Sequence, residues 1–516
     1  MITASLTARR RARELDELAS RGQVDVLIVG GGVTGAGCAL DAASRGLSVA
    51  LVEADDLAFG TSRWSSKLVH GGLRYLAHGE LGLAHESAVE RNTLMTRTAP
   101  HLTRPMAQVF PAYGSATDTG PLLTRAGLHA GDALRRAART PSALLPRPRA
   151  VPAAEALALA PGLRRGGLRG GLLSFDGALT DDARLVVAIA RTAAAHGARV
   201  LTKLAATQLH ADRVVARDGI TGSTVELRAK QVVNATGVWA GSLSPSVRLR
   251  PSRGTHLVLD AERTGLGEAS VMVPVPGELN RFVLLLPQPG GRVYLGLTDE
   301  PLDGAPEDVP TVPESDVDFL LGVASSVLER DLTREDVLGA FAGLRPLLEA
   351  DGDTADLSRN HAVLTDPDTG VLTVVGGKLT TYRKMAEDAV DAAMRSTNLT
   401  AGPSRTGNLP LFGAASRRQL SAVDAPARLV AKYGTEAPRV AALGDVDPEL
   451  ALPVCDGTDV TAAEVVWAVR HEGALDTDDV LHRRTRLGLV PADADAARSR
   501  IADLVARTTE GLHTPA

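Results

Sequence analysis

Three glycines near the N-terminus, Gly30, Gly32 and Gly35, stand between an apolar run, VDVLIV, and a helical pattern. In a G-x-G-x-x-G turn the first glycine permits the turn, the second lets backbone approach a pyrophosphate, and the third lets helix and strand pack closely. The helix start adds amides and partial positive charge that attract phosphates. Glu53 ends the next apolar run, where a carboxylate accepts hydrogen bonds from ribose hydroxyls. The pattern predicts a dinucleotide-binding βαβ unit and leaves FAD and NAD open.

The loop from Phe59 to Tyr75, FGTSRWSSKLVHGGLRY, is rich in hydroxyl groups, positive charge and glycine. Its hydroxyls can bind a pyrophosphate or the edge of a flavin, and its glycines let backbone lie against a flat ring. The loop resembles the signature of FAD-dependent glycerol-3-phosphate dehydrogenases, which pairs T-S-x-x-S-S-K-L with H-G-G-L-R-Y-L. The resemblance places six of its residues at the cofactor: Thr61, Ser62, Ser65, Ser66, Lys67 and His70.

Two later segments extend the resemblance. VNATGVW, ending at Trp239, is similar to the family's second FAD fingerprint, in which small residues let the chain pass the dinucleotide. GGKLTTYR, from Gly376 to Arg383, is similar to its third cofactor segment, whose amides at a helix start face the flavin pyrimidine. Three separated segments at one cofactor favour FAD over NAD. The residues they assign to the cofactor are Ala235, Thr236, Gly237, Gly377, Lys378, Leu379 and Thr380.

Other matches concern the substrate. RGTH, from Arg253 to His256, resembles the family's K-G-S-H, with the positive charge and the hydroxyl kept, and GLRPL around Arg345 resembles its G-x-R-P-L. GLTD resembles its G-T-T-D, but Leu297 replaces a hydroxyl residue there, which puts the role of that position in doubt. The likeness runs from about Val24 to Leu489.

The resemblance implies oxidation of the C2 hydroxyl of sn-glycerol 3-phosphate, which gives dihydroxyacetone phosphate. Flavin chemistry of this kind needs a base for the hydroxyl proton and a C–H bond aimed at the flavin N5 atom. His256 and His70 are the candidates for the base, and the family analogy favours His256. A phosphate suits the bidentate fork of arginine. The residues predicted to bind substrate are Arg74 and Arg345, helped by Tyr75, Arg253 and Lys378, with His256 and Arg345 as the catalytic pair.

The charge, cysteine content and apolar runs of the chain indicate which kinds of partner and location to expect. The 56 basic and 61 acidic residues give a net charge of -5, which argues against a nucleic-acid partner. Two cysteines, Cys38 and Cys455, build no disulfide framework, and we expect a cytoplasmic protein. No apolar run approaches the roughly 18 residues of a spanning helix, and no metal-ligand spacing is present. Peripheral contact with the inner face of the cell membrane, a homodimer, and the choice between quinone and another electron acceptor stay open.

The order of apolar patterns predicts an α/β fold: a Rossmann-like FAD-binding domain of the glutathione-reductase/D-amino-acid-oxidase type, a mixed-sheet substrate domain and an α-helical C-terminal cap. We expect an N-terminal extension (1–23), an oxidoreductase domain (24–400, with the substrate sheet around 251–345) and a helical domain (401–516). Within the oxidoreductase domain we predict one strand over Ala198–Leu204, a hairpin over Thr207–Leu227, and a surface connection over Thr140–Arg169.

Two other functions fit part of the pattern. An FAD-dependent amine or amino-acid oxidase would share the glycine turn but not the H-G-G-L-R-Y-L and G-G-K-L-T-T-Y-R segments. A non-catalytic flavin-binding subunit would use the helical C-terminus as an interaction module, and its flavin would not be bleached by a polyol phosphate.

Gly32→Val should give a colourless protein, because a side chain at the second glycine occupies the place of the pyrophosphate. The visible spectrum of the purified variant measures this. Gly82→Val, in a helical stretch away from the turn, is the control and should stay yellow. Stoichiometric flavin in Gly32→Val would show that the pyrophosphate assignment is wrong.

Overall fold

A computed structural model describes residues 3–72, 80–114, 120–278, 281–302, 304–349 and 360–513. Two predicted substrate residues, Arg74 and Tyr75, lie outside the described residues.

The strands in the described part of the chain are β1 (Gln23–Val29), β2 (Val49–Val52), β3 (Leu68–Val69), β4 (Thr103–Ala112), β5 (Arg149–Pro152), β6 (Gly170–Leu179), β7 (Arg199–Leu201), β8 (Leu204–His210), β9 (Arg213–Asp218), β10 (Thr224–Asn234), β11 (Ser252–Asp260), β12 (Ser270–Pro274), β13 (Phe282–Gln288), β14 (Arg292–Gly296), β15 (Glu300–Pro301), β16 (Val337–Arg345), β17 (Ala362–Thr365) and β18 (Leu372–Val375). The helices there are α1 (Ala8–Arg21), α2 (Val33–Ser44), α3 (Leu81–Thr93), α4 (Gly120–Ala137), α5 (Ala153–Leu159), α6 (Asp182–Ala195), α7 (Ala240–Leu243), α8 (Ala261–Thr264), α9 (Glu314–Ser325), α10 (Tyr382–Thr397), α11 (Arg417–Leu420), α12 (Ala427–Tyr433), α13 (Ala437–Val446), α14 (Ala462–His471), α15 (Thr477–Asp479) and α16 (Pro491–His513).

The first sheet has the order β17-β18-β10-β1-β2-β7, and its centre is parallel. Both faces of β1 are covered, which explains its continuous apolar run. Val26 and Ile28 pack with α2, α6 and α10 on one face, while Leu27 packs with α1 and the β8–β9 pair on the other. The glycine turn joins β1 to α2, so the predicted βαβ unit is confirmed.

The strands that follow α6 differ from those predicted. The run predicted as one strand, Ala198–Leu204, contains the whole of parallel β7 and the first residue of β8, with Lys203 between them at a φ of 54°. The backbone N–H of Lys203 donates to the Asp55 carbonyl, which turns the chain out of the parallel sheet. Strands β8, β9 and β10 then form a three-stranded meander where the sequence predicted a hairpin. The predicted surface connection, Thr140–Arg169, contains β5 and α5 because β5 extends the second sheet beside β6.

The second sheet has the order β15-β11-β14-β13-β12-β4-β6-β3, with β16 also paired to β11. Alternate residues of β11 face opposite sides, as strand geometry requires. Leu257 and Leu259 pack with α9, whereas Val258 packs on the other face with Trp64 and Phe341. This mixed sheet, set against the parallel one, confirms the predicted fold class.

The helices after Ala401 form cores of their own but are joined to the rest of the chain by buried charges. Arg483 Nε donates to Asp56 Oδ2 at 2.7 Å, and Arg484 donates to both carboxylate oxygens of Asp56 at 2.8 Å. Asp56 follows β2 and is completely buried. In the described residues no helix is long and apolar enough to cross a membrane.

Asp56→Ala should lower the free energy of unfolding by about 3–5 kcal/mol, because it leaves two buried guanidinium groups without their shared carboxylate. Thermal and denaturant unfolding of the holoprotein measure the change. The control is Asp503→Ala, whose pair with Arg507 is mostly exposed and contributes about 1 kcal/mol or less. Equal unfolding midpoints for the two variants would contradict the role given to Asp56.

Candidate active site

A cavity of about 720 Å³ lies where the two sheets meet, at the carboxyl ends of β1, β2 and β10. The end of a parallel sheet is where α/β folds bind ligands. All three predicted cofactor segments reach this cavity, although they are far apart in sequence. The predicted site residues that line it are Gly30, Gly32, Glu53, Thr61, Ser62, Ser65, Ser66, His70, Ala235, Thr236, Gly237, His256, Arg345, Gly377, Lys378, Leu379 and Thr380.

The glycine turn is shaped by close backbone approach. Gly30 has a φ of 111°, and a Cβ there would lie 2.5 Å from the Ala235 carbonyl oxygen. A Cβ at Gly35 would lie 1.8 Å from the Gly30 oxygen, so Gly35 serves helix packing and does not line the cavity. At Gly32 a Cβ would approach only Ser62 Oγ, at 3.1 Å. The second glycine therefore leaves room for a ligand and not for another part of the chain.

Glu53 lies at the end of β2 and holds the turn from beside the cavity. Its Oε2 accepts from the N–H of Gly31 at 2.5 Å, and its Oε1 accepts from the N–H of Asp55 at 2.9 Å. Burial raises the pKa of Glu53 to about 7. The carboxylate keeps lone pairs that can accept from ligand hydroxyl groups, and its contact with the ribose stays a prediction.

Hydroxyl groups of the loop after β2 fix that loop against three elements. Ser62 Oγ accepts from the N–H of Val33 at 2.9 Å and so caps α2. Thr61 Oγ1 donates to the Leu344 carbonyl at 2.6 Å, and Ser65 Oγ donates to Asp182 Oδ2 at 2.7 Å. These three hydroxyls position the wall of the cavity.

Lys67 is placed differently from the prediction. Its side chain is 2% exposed and does not line the cavity. Nζ pairs with Asp182 Oδ2 at 3.0 Å and donates to the carbonyls of Arg63 and Ser65. The structure thus directs the Lys67 side chain away from the cavity, into a buried ion pair with Asp182 that no local signal in the sequence indicated.

His256 is completely buried on β11 and faces the cavity. Its Nε2 lies 2.8 Å from Ser66 Oγ, and its ring stacks on Phe341 at 4.8 Å between centroids. Nδ1 has no hydrogen-bond partner among the described residues. Burial, with the charges of Lys67 and Arg345, lowers the pKa of His256 to about 3. The imidazole is therefore neutral, with one nitrogen able to accept a proton.

Arg345 ends β16, the strand that pairs with β11, and it lines the same cavity. Nη1 donates to Ser252 Oγ at 2.8 Å and to Asp299 Oδ1 at 3.1 Å, and Nη2 donates to the Thr298 carbonyl at 3.1 Å. A Cβ at Gly254 would lie 2.3 Å from Nη2, so this glycine makes space for the guanidinium. The ion pair sets the direction of the fork.

Arg253 does not line the cavity, in contrast to the prediction. Its Nε lies 3.4 Å from Asp316 Oδ2, on the face of β11 that α9 covers. Residues 253 and 256 are an odd number apart on one strand, so they face opposite sides. We therefore leave Arg253 out of the proposed substrate site.

Several lining residues carried no predicted role: Trp64, Trp239, Gly254, Leu284, Leu297 and Met385. Trp239 ends the second fingerprint, and a Cβ at Gly60 would lie 2.6 Å from its ring. Met385 lies two residues after the third segment, in the first turn of α10.

Two family descriptions cover most of the chain. Residues 25–383 match FAD dependent oxidoreductase, and residues 404–510 match the C-terminal domain of alpha-glycerophosphate oxidase. Glycerol-3-phosphate dehydrogenase 1 of Mycobacterium tuberculosis is 54% identical over 501 residues, which are 96% of this chain and 97% of that protein. The chain belongs to the FAD-dependent glycerol-3-phosphate dehydrogenase family.

Solved structures agree with membership of this dehydrogenase family. A glycerol-3-phosphate dehydrogenase from Bacillus halodurans, complexed with FAD, has a TM-score of 0.73 at 28% identity and covers 99% of this chain and 97% of its own. A glycine oxidase from Bacillus cereus has a TM-score of 0.51 at 18% identity, covering 73% of this chain and 98% of its own, and shows the shared fold alone.

The cavity fits the cofactor of the family. The space at Gly32, the carboxylate of Glu53 and the glycine backbone of the third segment, with a φ of 71° at Gly377, are the features that a dinucleotide with a flat ring requires. Together with the family assignment, they confirm FAD as the cofactor.

Glu53→Gln should weaken FAD binding about tenfold, since a neutral acceptor contributes about 1.4 kcal/mol less than a charged one. Because the pKa of Glu53 is about 7, the wild-type affinity should rise with pH through neutrality as the carboxylate ionises. Titration of apoprotein with FAD, followed by fluorescence on either side of pH 7, measures both effects. The variant should show no such pH dependence. The same rise in Glu53→Gln would assign it to another group.

Proposed function

We propose that this protein oxidises sn-glycerol 3-phosphate to dihydroxyacetone phosphate, with FAD bound in the cavity. The observation that carries the proposal is that a neutral imidazole, His256, and a guanidinium, Arg345, stand on paired strands and face the cavity that the cofactor segments line. A phosphorylated alcohol needs this combination of a base and an anion-binding group. The name of the 54% identical Mycobacterium tuberculosis relative supports the same substrate.

The reaction removes a hydride from C2 and a proton from the C2 hydroxyl, so that the alcohol becomes a ketone. When bound, FAD accepts the hydride, with its two electrons, at N5. Gly30, Gly32 and Glu53 would hold its dinucleotide part, and Gly377 to Thr380 would present backbone amides to its ring.

The hydroxyl proton passes to His256 in this proposal. The ring is held by its stacking on Phe341 and by the contact of Nε2 with Ser66 Oγ, which itself lines the cavity. A fixed and neutral imidazole can accept a proton without first losing one.

Arg345 binds the phosphate and also acts on His256. Its positive charge is one of the causes that lower the pKa of His256. A phosphate dianion paired with Arg345 opposes that effect, so we expect His256 to become a stronger base when substrate is bound. Lys378, which lines the cavity, adds positive charge for the same anion, and we keep Arg74 and Tyr75 as proposed substrate contacts.

For the second half of the reaction we propose a quinone as the electron acceptor, with oxygen as the alternative. This proposal rests on the family's common behaviour at the cytoplasmic face of a membrane. Steady-state rates with a soluble quinone analogue and with oxygen alone compare the two acceptors directly.

Anaerobic addition of glycerol 3-phosphate to the purified yellow protein tests the proposed function. We expect loss of the oxidised flavin bands, and no loss with glycine or sarcosine. Bleaching by the amines instead would favour an amine oxidase, and no bleaching by either class would favour a non-catalytic flavin-binding subunit.

Arg345→Ala should lower kcat/KM for glycerol 3-phosphate by about tenfold to several hundredfold, because a charged hydrogen bond contributes roughly 1.5–3 kcal/mol and the phosphate is left unpaired. Arg345→Lys should recover only part of the loss, since lysine lacks the bidentate fork. FAD content, read from the visible spectrum, should stay normal.

Glycerol serves as the matched control substrate for Arg345. It has no phosphate, so it should be equally poor for the wild type and for Arg345→Ala. Unchanged kcat/KM for glycerol 3-phosphate in a variant that holds full FAD would remove Arg345 from the phosphate site.

A further inference from the structure

We propose that Lys67 is a positioning residue for His256: its buried ammonium, paired with Asp182, holds residues 63–67 in the turn that sets the Ser66 hydroxyl against the imidazole. The proposal rests on the proposed function, because the position of His256 matters to the rate only if His256 takes the substrate proton. Lys67 itself touches neither the cavity nor the reacting atoms.

The ammonium of Lys67 closes a small ring of contacts within its own loop. Nζ donates to the carbonyl of Arg63 at 3.0 Å and to the carbonyl of Ser65 at 3.1 Å, and it pairs with Asp182 Oδ2 at 3.0 Å. The same carboxylate oxygen accepts from the backbone N–H of Ser65 at 2.9 Å and from its hydroxyl at 2.7 Å. Ser66 lies between two residues that are fixed in this way, and its side chain faces His256.

The contact that results is short and specific. Ser66 Oγ lies 2.8 Å from His256 Nε2. Phe341 links the two groups by a second route, because its ring stacks on His256 and lies 4.9 Å from Lys67 Nζ. Loss of the ammonium therefore frees both the hydroxyl partner and one neighbour of the stacked ring.

Lys67 also acts on His256 through charge. The charged groups that act on His256 are Lys67 and Arg345, which lower its pKa, and Asp182, which raises it, and the effect of Lys67 exceeds that of Asp182. Removing Lys67 and Asp182 together should consequently raise the pKa of His256. The imidazole would then begin to protonate, and lose its function as a base, at a higher pH than in the wild type.

Arg486, in the C-terminal region, stabilises the loop around the Lys67–Asp182 ion pair. Arg486 donates to the carbonyl of Arg63 at 2.5 Å and pairs with Asp181 at 3.1 Å. Although burial raises the pKa of Asp182, the charges of Lys67 and Arg486 hold it below its ordinary value. Asp182 stays ionised and keeps Lys67 in place.

The test compares the double variant Lys67→Met/Asp182→Asn with the wild type, as holoenzymes. The double variant removes both buried charges, so it avoids the uncompensated carboxylate that Lys67→Met alone would leave. Arg11→Met/Asp218→Asn removes another buried pair, whose side chains do not line the cavity, and is the matched control.

We measure the rate of anaerobic flavin reduction by glycerol 3-phosphate at about pH 7, because burial lowers the pKa of Lys67 to about 8 and the wild type still carries the ammonium there. The double variant should hold full FAD with KM little changed and be slower by about tenfold to a hundredfold, the cost of a misplaced base. The control double variant should reduce its flavin at the wild-type rate, even if its thermal stability is lower.

A second measurement needs no substrate. The imidazole ¹³C signal of His256, assigned by its absence in His256→Gln, should titrate at a higher pH in the double variant than in the wild type. If glycerol 3-phosphate fails to bleach the wild type, the proposed function is wrong, and this titration still tests the positioning role. A wild-type rate and titration in the double variant would overturn the proposal, as would loss of FAD from that variant or equal losses in the control pair.

Discussion

The buried carboxylate of Asp182, at the start of α6, is the contact on which the arrangement of the site depends. Burying a charge is costly unless it is paired and hydrogen-bonded, and the N-terminus of a helix favours an anion. Asp182 meets these conditions with Lys67 and the two donors of Ser65, and the positive end of α6 lies behind it. A helix of the parallel domain is thereby joined to the loop that forms the cavity wall.

The loop that Asp182 holds stands between the two sheets, and each side of it serves a different ligand group. On one side Ser62 caps α2 beside the glycine turn, where we propose that the pyrophosphate of FAD binds. On the other side Ser66 meets His256 on the mixed sheet. One short segment thus sets the distance from the dinucleotide-binding turn to the proposed base, which explains why its hydroxyls and its lysine are packed so closely.

Much of this arrangement was predictable from local patterns, because a parallel strand buried on both faces and a glycine turn each leave a continuous signal. The separated FAD segments were identified by resemblance, and the structure brings them to one cavity. The position of Arg253 could also have been predicted from the sequence. Side chains alternate along a strand, so Arg253 and His256 must lie on opposite faces of β11. Lys67 shows a different limit: its partner, Asp182, is more than a hundred residues away, and nothing near Lys67 in the sequence tells a buried ion pair from a cofactor contact. The break between β7 and β8 could not be predicted for the same reason. It depends on a hydrogen bond from the N–H of Lys203 to the carbonyl of Asp55, which is distant in sequence.

The C-terminal region contacts the same loop through Arg486. The fold shared with the glycine oxidase covers 73% of this chain, whereas the glycerol-3-phosphate dehydrogenase from Bacillus halodurans covers 99%. Residues 404–510 match the C-terminal domain of alpha-glycerophosphate oxidase. Arg486 adopts a φ of 66°, in the left-handed region that few non-glycine residues enter, and places its guanidinium on the carbonyl of Arg63 and 5.5 Å from the Trp64 ring. The free-energy cost of this backbone conformation is offset by the contacts of the Arg486 guanidinium with the loop that carries the family signature. A region without a cofactor motif is in this way joined to the proposed site, since Arg486 contacts the loop that we propose positions the base.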